Sequence, residues 1–165
     1  IIQFHPTSRL QFCSLIPLAN GAFPCGDVNA ESGKIQSSNY PNLGYQNNEN
    51  CTWKITVPSG SIVMLEFETP FNEDMITQIQ VGFLEQKYNT IILLQIENHE
   101  SCSYDYLEIR DGGVATSPLL GEKHCGATVP NTIKSTGNTM FVKFHSDGYT
   151  TRKGFSASFK KEGKK

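Results

Sequence analysis

The sequence predicts an all-β fold, an antiparallel two-sheet sandwich. Apolar and polar residues alternate at period two over short β-branched and aromatic runs. Turn residues separate these runs, and no stretch keeps a helical period of useful length. The first clear strand has Trp53, Ile55 and Val57 alternating with Thr52, Lys54 and Thr56. Pro58-Ser59-Gly60 is a turn, and Ile62 to Phe67 is a second strand with Val63, Leu65 and Phe67 on one side. Tyr106 to Arg110 is a third, closed by Asp111-Gly112-Gly113. Met140, Val142 and Phe144 face one way in a fourth, against Phe141, Lys143 and His145 on the other. Phe155, Ala157 and Phe159 complete the pattern.

The composition fits one domain of 165 residues with 14 Gly and 8 Pro, rich in turns. Lys and Arg number 14 against 16 Asp and Glu, a net charge of −2. That balance argues against a nucleic-acid binder, which needs a basic face. No apolar run approaches the ~18 residues of a membrane span; the longest lies around Ile91 to Leu94. The cysteines are Cys13, Cys25, Cys51, Cys102 and Cys125. None forms a CxxC pair, which leaves no zinc or redox motif. Four of them allow three pairings, and the residues alone do not choose. Asn50-Cys51-Thr52 is a glycosylation sequon, in keeping with a secreted domain. Residues 1–24 hold Pro6, Pro17 and Pro24, show no period, and read as a poorly ordered leader or linker that includes Cys13. A signal-peptide reading of Leu15 to Ala19 is interrupted by Pro17.

From Cys25 onward the residues resemble a known family. Cys25-Gly26, the string Gly33 to Pro41, and Cys51-Thr52-Trp53-Lys54-Ile55 resemble the opening of a CUB domain. Cys102 to Gly112 resembles its central motif. Leu120-Gly121, Cys125-Gly126, Phe144-His145-Ser146-Asp147-Gly148 and Gly154-Phe155 resemble its close. The motifs stand in family order over 25–160, leaving 161–165 as a basic tail or linker. The stretch Asp147 to Phe155 and the string Ile133 to Thr136 are most similar to CUB repeats of tolloid-type astacin metalloproteinases. The resemblance implies a jelly-roll-like sandwich with disulfides Cys25–Cys51 and Cys102–Cys125. It leaves Cys13 without a partner in the domain.

One departure is large. Phe71-Asn72 and Ile96-Glu97 look like two halves of one family stretch, separated by an insertion at 73–95. This segment reads as a loop with its own binding surface, as sequence that splicing would remove, or as a hairpin-like excursion that the sandwich tolerates.

The resemblance also implies a calcium site. Matching residue by residue assigns Glu97, Asp105 and Asp147 as carboxylate ligands, with backbone carbonyls around Gly148 and Tyr149. Tyr45 would support them by hydrogen bonding. The chemistry is coherent, because calcium takes six to eight oxygens and carboxylates from separate loops can converge on it. Without a cation, three packed acids repel one another. Asp111, before Gly112, reads instead as a turn former. Tyr104 and Tyr106 flank Asp105 and read as core or sheet packing. Lys160, Lys161, Lys164 and Lys165 read as a solvated tail.

Enzyme motifs are missing. His99-Glu100 is not followed by a helical HExxH pattern, no GxSxG elbow or P-loop is present, and the histidines lack ligand spacing. Any catalysis would lie in other domains of a parent protein. The expectation is an extracellular, non-catalytic recognition module that binds a Lys or Arg of a protein partner through its calcium site. The alternative is a structural spacer or exosite module of a larger secreted protease or receptor. A carbohydrate binder is a third reading, for which the sequence displays no aromatic platform.

Overall fold

The computed structural model describes residues 21–68 and 94–164, and within them two β-sheets pack face to face. The strands are β1 (Ala22–Phe23), β2 (Gly26–Asn29), β3 (Ser32–Gln36), β4 (Asn50–Thr56), β5 (Ser61–Phe67), β6 (Tyr106–Asp111), β7 (Ile133–Lys134), β8 (Thr139–His145) and β9 (Ser156–Gly163). One sheet has the order β1-β3-β9-β5-β7 and the other β2-β4-β8-β6.

The period-two pattern is the cause of the two layers. In β4, Cys51, Trp53 and Ile55 are buried while Thr52, Lys54 and Thr56 lie on the outer face. Met140, Val142 and Phe144 of β8 do the same opposite them. From the other sheet, Val63, Leu65 and Phe67 of β5 and Ala157 and Phe159 of β9 meet these rows. Phe155 lies at the centre, edge-on to Trp53 at 5.8 Å and beside Phe144 at 5.6 Å. Each large side chain withdrawn from water here contributes about 1.5–3 kcal/mol. Trp53 also donates its indole N–H to the carbonyl of Phe23, which ties β1 over the core.

The sheets are mixed and not wholly antiparallel. β1 pairs with β3 in parallel, and β2 with β4 in parallel. The reason is connectivity: β3 belongs to the sheet opposite β2 and β4, so it acts as their crossover. Alternation in a sequence shows which side chains turn inward, and carries no information on strand direction. The sheet also extends past the boundaries expected at 25 and 160. Ala22–Phe23 pairs with Lys34–Ile35. β9 runs to Gly163, with Lys160 and Lys161 in ion pairs with Glu66 and Glu31. Disulfides join Cys25 to Cys51 and Cys102 to Cys125, with Cα–Cα distances of 5.5 and 5.6 Å. Cys13 and residues 73–93 lie outside the described residues. The end of the 73–95 segment is inside them: Leu94 is buried in the core and Gln95 bridges to Gly154.

Candidate metal centre

One end of the sandwich is held by bridges in place of long strands. Gln95 pairs with Gly154 and Ile96 with Gly126, which places Glu97 at the seam of the two sheets. Gly154 has φ +93°, and a Cβ there would run into the side chain of Ser37. That Ser37 hydroxyl instead accepts the Phe155 N–H at 3.1 Å. Only glycine combines this backbone conformation with this closeness.

Three acids converge at the seam. Asp105, just before β6, is completely buried. Its carboxylate accepts the Tyr45 hydroxyl at 2.5 Å and the Asp147 N–H at 2.7 Å. The same Tyr45 oxygen accepts the Glu97 N–H at 3.0 Å. One phenol therefore fixes the side chain of one acid and the backbone of another. Tyr45 is buried and stands edge-on to Phe144 at 5.0 Å. Burial, and then its hydrogen bond to Asp105, push its pKa well above the ordinary tyrosine value, so it stays a proton donor. Asp147 follows β8 and is turned by its own loop, its Oδ1 accepting the Tyr149 N–H at 2.9 Å.

A carboxylate oxygen from each of Glu97, Asp105 and Asp147 lies within 4.8 Å of the others. At an effective dielectric of about 20, two unit charges at that distance repel by about 3 kcal/mol. Asp105 is compensated by two donors. Glu97 is not: among the described residues its buried Oε2 has no hydrogen-bond partner. A hard cation fits this donor set, being satisfied by oxygens alone and able to use the lone pairs left over.

The structure thus brings Glu97, Asp105, Asp147 and Tyr45 together. Gly148 shares the Asp147 loop, and its carbonyl accepts the Asn47 side-chain amide at 3.0 Å. Tyr149 is joined to the group through its N–H, and its side chain is 87% exposed. Asp111 stands apart, its Oδ1 accepting the Thr136 N–H at 2.8 Å as a turn anchor. Asn50 is exposed at the start of β4, on the outer face of its sheet. Tyr104 and Tyr106 are not core residues: Tyr104 is exposed, its ring tilted against His99, and Tyr106 lies on the outer sheet face against His145. Because Asp105 turns inward, its neighbours must turn outward.

Sequence reasoning missed Ser146 and the asparagines facing it. Ser146 Oγ donates to the Gln46 carbonyl at 2.6 Å and accepts the Glu49 N–H at 2.9 Å. Asn48, at φ 59°, donates its N–H to the Asp147 carbonyl at 2.7 Å. These bonds clamp the Tyr45 loop to the Asp147 loop. Asn47-Asn48 in a polar loop was the available signal, since asparagine tolerates positive φ.

Known proteins resemble both sequence and structure. The sequence model of the CUB domain matches residues 25–89 and 78–159. A bone morphogenetic protein 1 homolog of Strongylocentrotus purpuratus is 42% identical over 137 residues, 83% of this chain and 17% of that protein. Tolloid-like protein 2 of Homo sapiens is 39% identical over 137 residues, 83% of this chain and 11% of that protein. The chain therefore spans less than a fifth of the length of these relatives. The extracellular region of zebrafish Gpr126/Adgrg6 superposes with a TM-score of 0.62 at 27% identity, covering 85% of this chain and 15% of that one. The MASP-1 CUB2 domain, solved bound to Ca2+, superposes at 0.59 with 24% identity over 82% of this chain and 96% of its own, a likeness of fold. With its two disulfides, its two-sheet sandwich and a family match running from residue 25 to residue 159, the chain belongs to the CUB domain family.

Proposed function

We propose that this CUB domain is an extracellular, non-catalytic protein-recognition module whose calcium site takes a basic side chain of a partner. The observation that supports the reading is the convergence of Glu97, Asp105 and Asp147, with Glu97 Oε2 buried and unpartnered among the described residues. Glu97, Asp105 and Asp147 would hold the ion with their carboxylates, aided by carbonyls of the Gly148–Tyr149 turn. Calcium bound there would neutralise the mutual repulsion of the acids. Tyr45 orients Asp105 and the backbone of Glu97 and does not itself need to ligate. Carboxylate lone pairs turned outward would accept a Lys or Arg ammonium or guanidinium, a contact weakened by salt. A CUB domain of the same fold is known with Ca2+ bound. The similarity to tolloid-type proteins supports a secreted multidomain parent, in which the exposed Asn50 would be a glycosylation site.

Thermal unfolding of the full chain in calcium and in EDTA tests the reading. Extracellular calcium modules bind at about 10⁻⁴ to 10⁻³ M. Calcium at about twenty times Kd would stabilise the fold by about 1.8 kcal/mol. For a chain of this size that is a rise in Tm of about 4–7 °C. A cooperative transition with no shift would leave the spacer role in its place.

A further inference from the structure

We infer that the outer face of the β2-β4-β8-β6 sheet is a binding site for a sulfated polysaccharide. The inference starts from two lysines that make no ion pair among the described residues. Cations elsewhere on the two sheets sit in ion pairs: Lys34, Lys54, Arg110, Lys134, Lys160 and Lys161 each face an Asp or Glu. Lys123 and Lys143 do not; among the described residues neither has a carboxylate within ion-pair distance. Both ammonium groups lie over the ring of Tyr106, Lys123 Nζ at 3.6 Å from its centroid and Lys143 Nζ at 5.7 Å. His145 stands against the same ring at 5.1 Å. Glu108 is cross-strand from Lys143, and its carboxylate is engaged by Arg110 Nε at 2.5 Å. Glu122 is the exposed neighbour of Lys123.

A ring and a carboxylate hold a lysine differently. A carboxylate fixes the ammonium and cancels its charge. An aromatic face fixes it by its quadrupole and leaves the full positive charge for a third party. Tyr106 therefore pre-orders two lysines beside an imidazole and keeps them available, in a chain whose net charge is −2. Holding them together costs repulsion that an anion would relieve. Apart from Phe141, the rest of the face is polar, with Asn50 and Thr52 in the rows of His145 and Lys143. A wet, cationic surface with few apolar anchors suits a flexible polyanion better than a protein, whose interface needs an apolar centre. The acid cluster at the end of the sandwich is separate, because Asp105 turns inward where Tyr106 turns outward.

The test is retention of the full chain on immobilised heparin, read as the salt needed for elution and as Kd for heparin in solution. Lys123→Gln with Lys143→Gln is expected to weaken binding roughly tenfold, two screened ion contacts' worth, with Tm unchanged. Lys161→Gln with Lys164→Gln, at the C-terminal end, is the control and is expected to leave binding intact. Wild-type binding is expected to persist in EDTA and to fall with desulfated heparin. Enzymatic removal of any glycan on Asn50, which shares a row with His145, is expected to preserve or strengthen it. The inference is overturned if the tail pair and not the Tyr106 pair abolishes retention. It is also overturned if desulfation has no effect, if the wild type fails to bind at physiological salt, or if an acidic protein binds this face while heparin does not.

Discussion

Replacing Tyr45 by Phe removes one oxygen and, with it, two hydrogen bonds, and leaves the ring free to keep its edge-on contact with Phe144. The bond to Asp105 has a charged acceptor, for which the loss is about 1.5–3 kcal/mol. The Glu97 N–H loses its acceptor in a half-buried setting, which adds up to a further ~1–3 kcal/mol where water cannot replace it. A central figure is about 3 kcal/mol, or a Tm lower by about 6–12 °C. The variant should also weaken calcium. Groups that orient a metal's ligands are typically worth 10–100-fold in affinity. A stabilisation of about 1.8 kcal/mol at a given calcium concentration then falls to below about 0.7 kcal/mol. Thermal melts of both proteins in EDTA and in calcium read the two effects separately. A loss in EDTA below about 1 kcal/mol would refute the assignment of Tyr45 as the buried clamp. A large loss in EDTA with the calcium shift undiminished would refute its role in positioning the site.

Glu97→Gln deletes a charge from a buried oxygen that has no donor among the described residues, so in EDTA the variant should melt no lower than the wild type. Its calcium shift should vanish in the same melts. Burial lowers the pKa of His124 from its usual 6.5, with Glu122 opposing weakly. The unfolded chain then takes up that proton first as pH falls, so stability should decline below about pH 6.5 and be insensitive to His124 above it. His124→Gln should flatten that limb in a series of denaturant melts. Deleting residues 73–93 should leave the calcium shift in place, because Leu94, Ile96 and the Gln95–Gly154 and Ile96–Gly126 bridges hold Glu97 from its own side. A chain so shortened that melts cooperatively yet ignores calcium would contradict this.

What the sequence disclosed and what it withheld follow one rule. Alternation in β4, β5, β8 and β9 is a property of each strand by itself, and it assigned Trp53, Leu65, Val142 and Phe159 to the core side without any partner strand. Strand direction is a property of pairs, and the two parallel pairings at the sheet edges left no local trace. The acids divide in the same way. Glu97, Asp105 and Asp147 were legible only through the family's motif order, since they are far apart in the chain and none stands in a spacing that implies a shared ion. Asn47-Asn48 signalled a turn, but its pairing with the Ser146 loop was not legible, because those bonds join loops about a hundred residues apart. The basic face on Tyr106 was missed for a third reason. Tyr106 was read as packing, and Lys123 reaches it from a loop whose position depends on the bridge between Leu107 and His124.

The two surfaces of opposite charge have a common structural origin. Asp105 and Tyr106 are consecutive at the start of β6, and His145 and Asp147 flank Ser146 at the end of β8. These two strand ends pair with one another through Tyr106 and His145. At a strand end, a shift of one residue moves a side chain from one face to the other. Asp105 is thereby delivered to the seam between the sheets and Tyr106 to the outside, with the Ser146 clamp holding Asp147 at the seam as well. Moving either strand by one residue would reverse both assignments together, bringing the lysine-bearing ring inward and the acid outward. The acid site and the cationic face therefore stand or fall with the same register. Their chemistry still separates them: a chelator should act on the inner group alone, because the carboxylates that converge among the described residues are those of Glu97, Asp105 and Asp147. Added salt weakens contacts at both. An interaction that survives EDTA and yields to salt belongs to the Tyr106 face, and one that yields to both belongs to Glu97, Asp105 and Asp147.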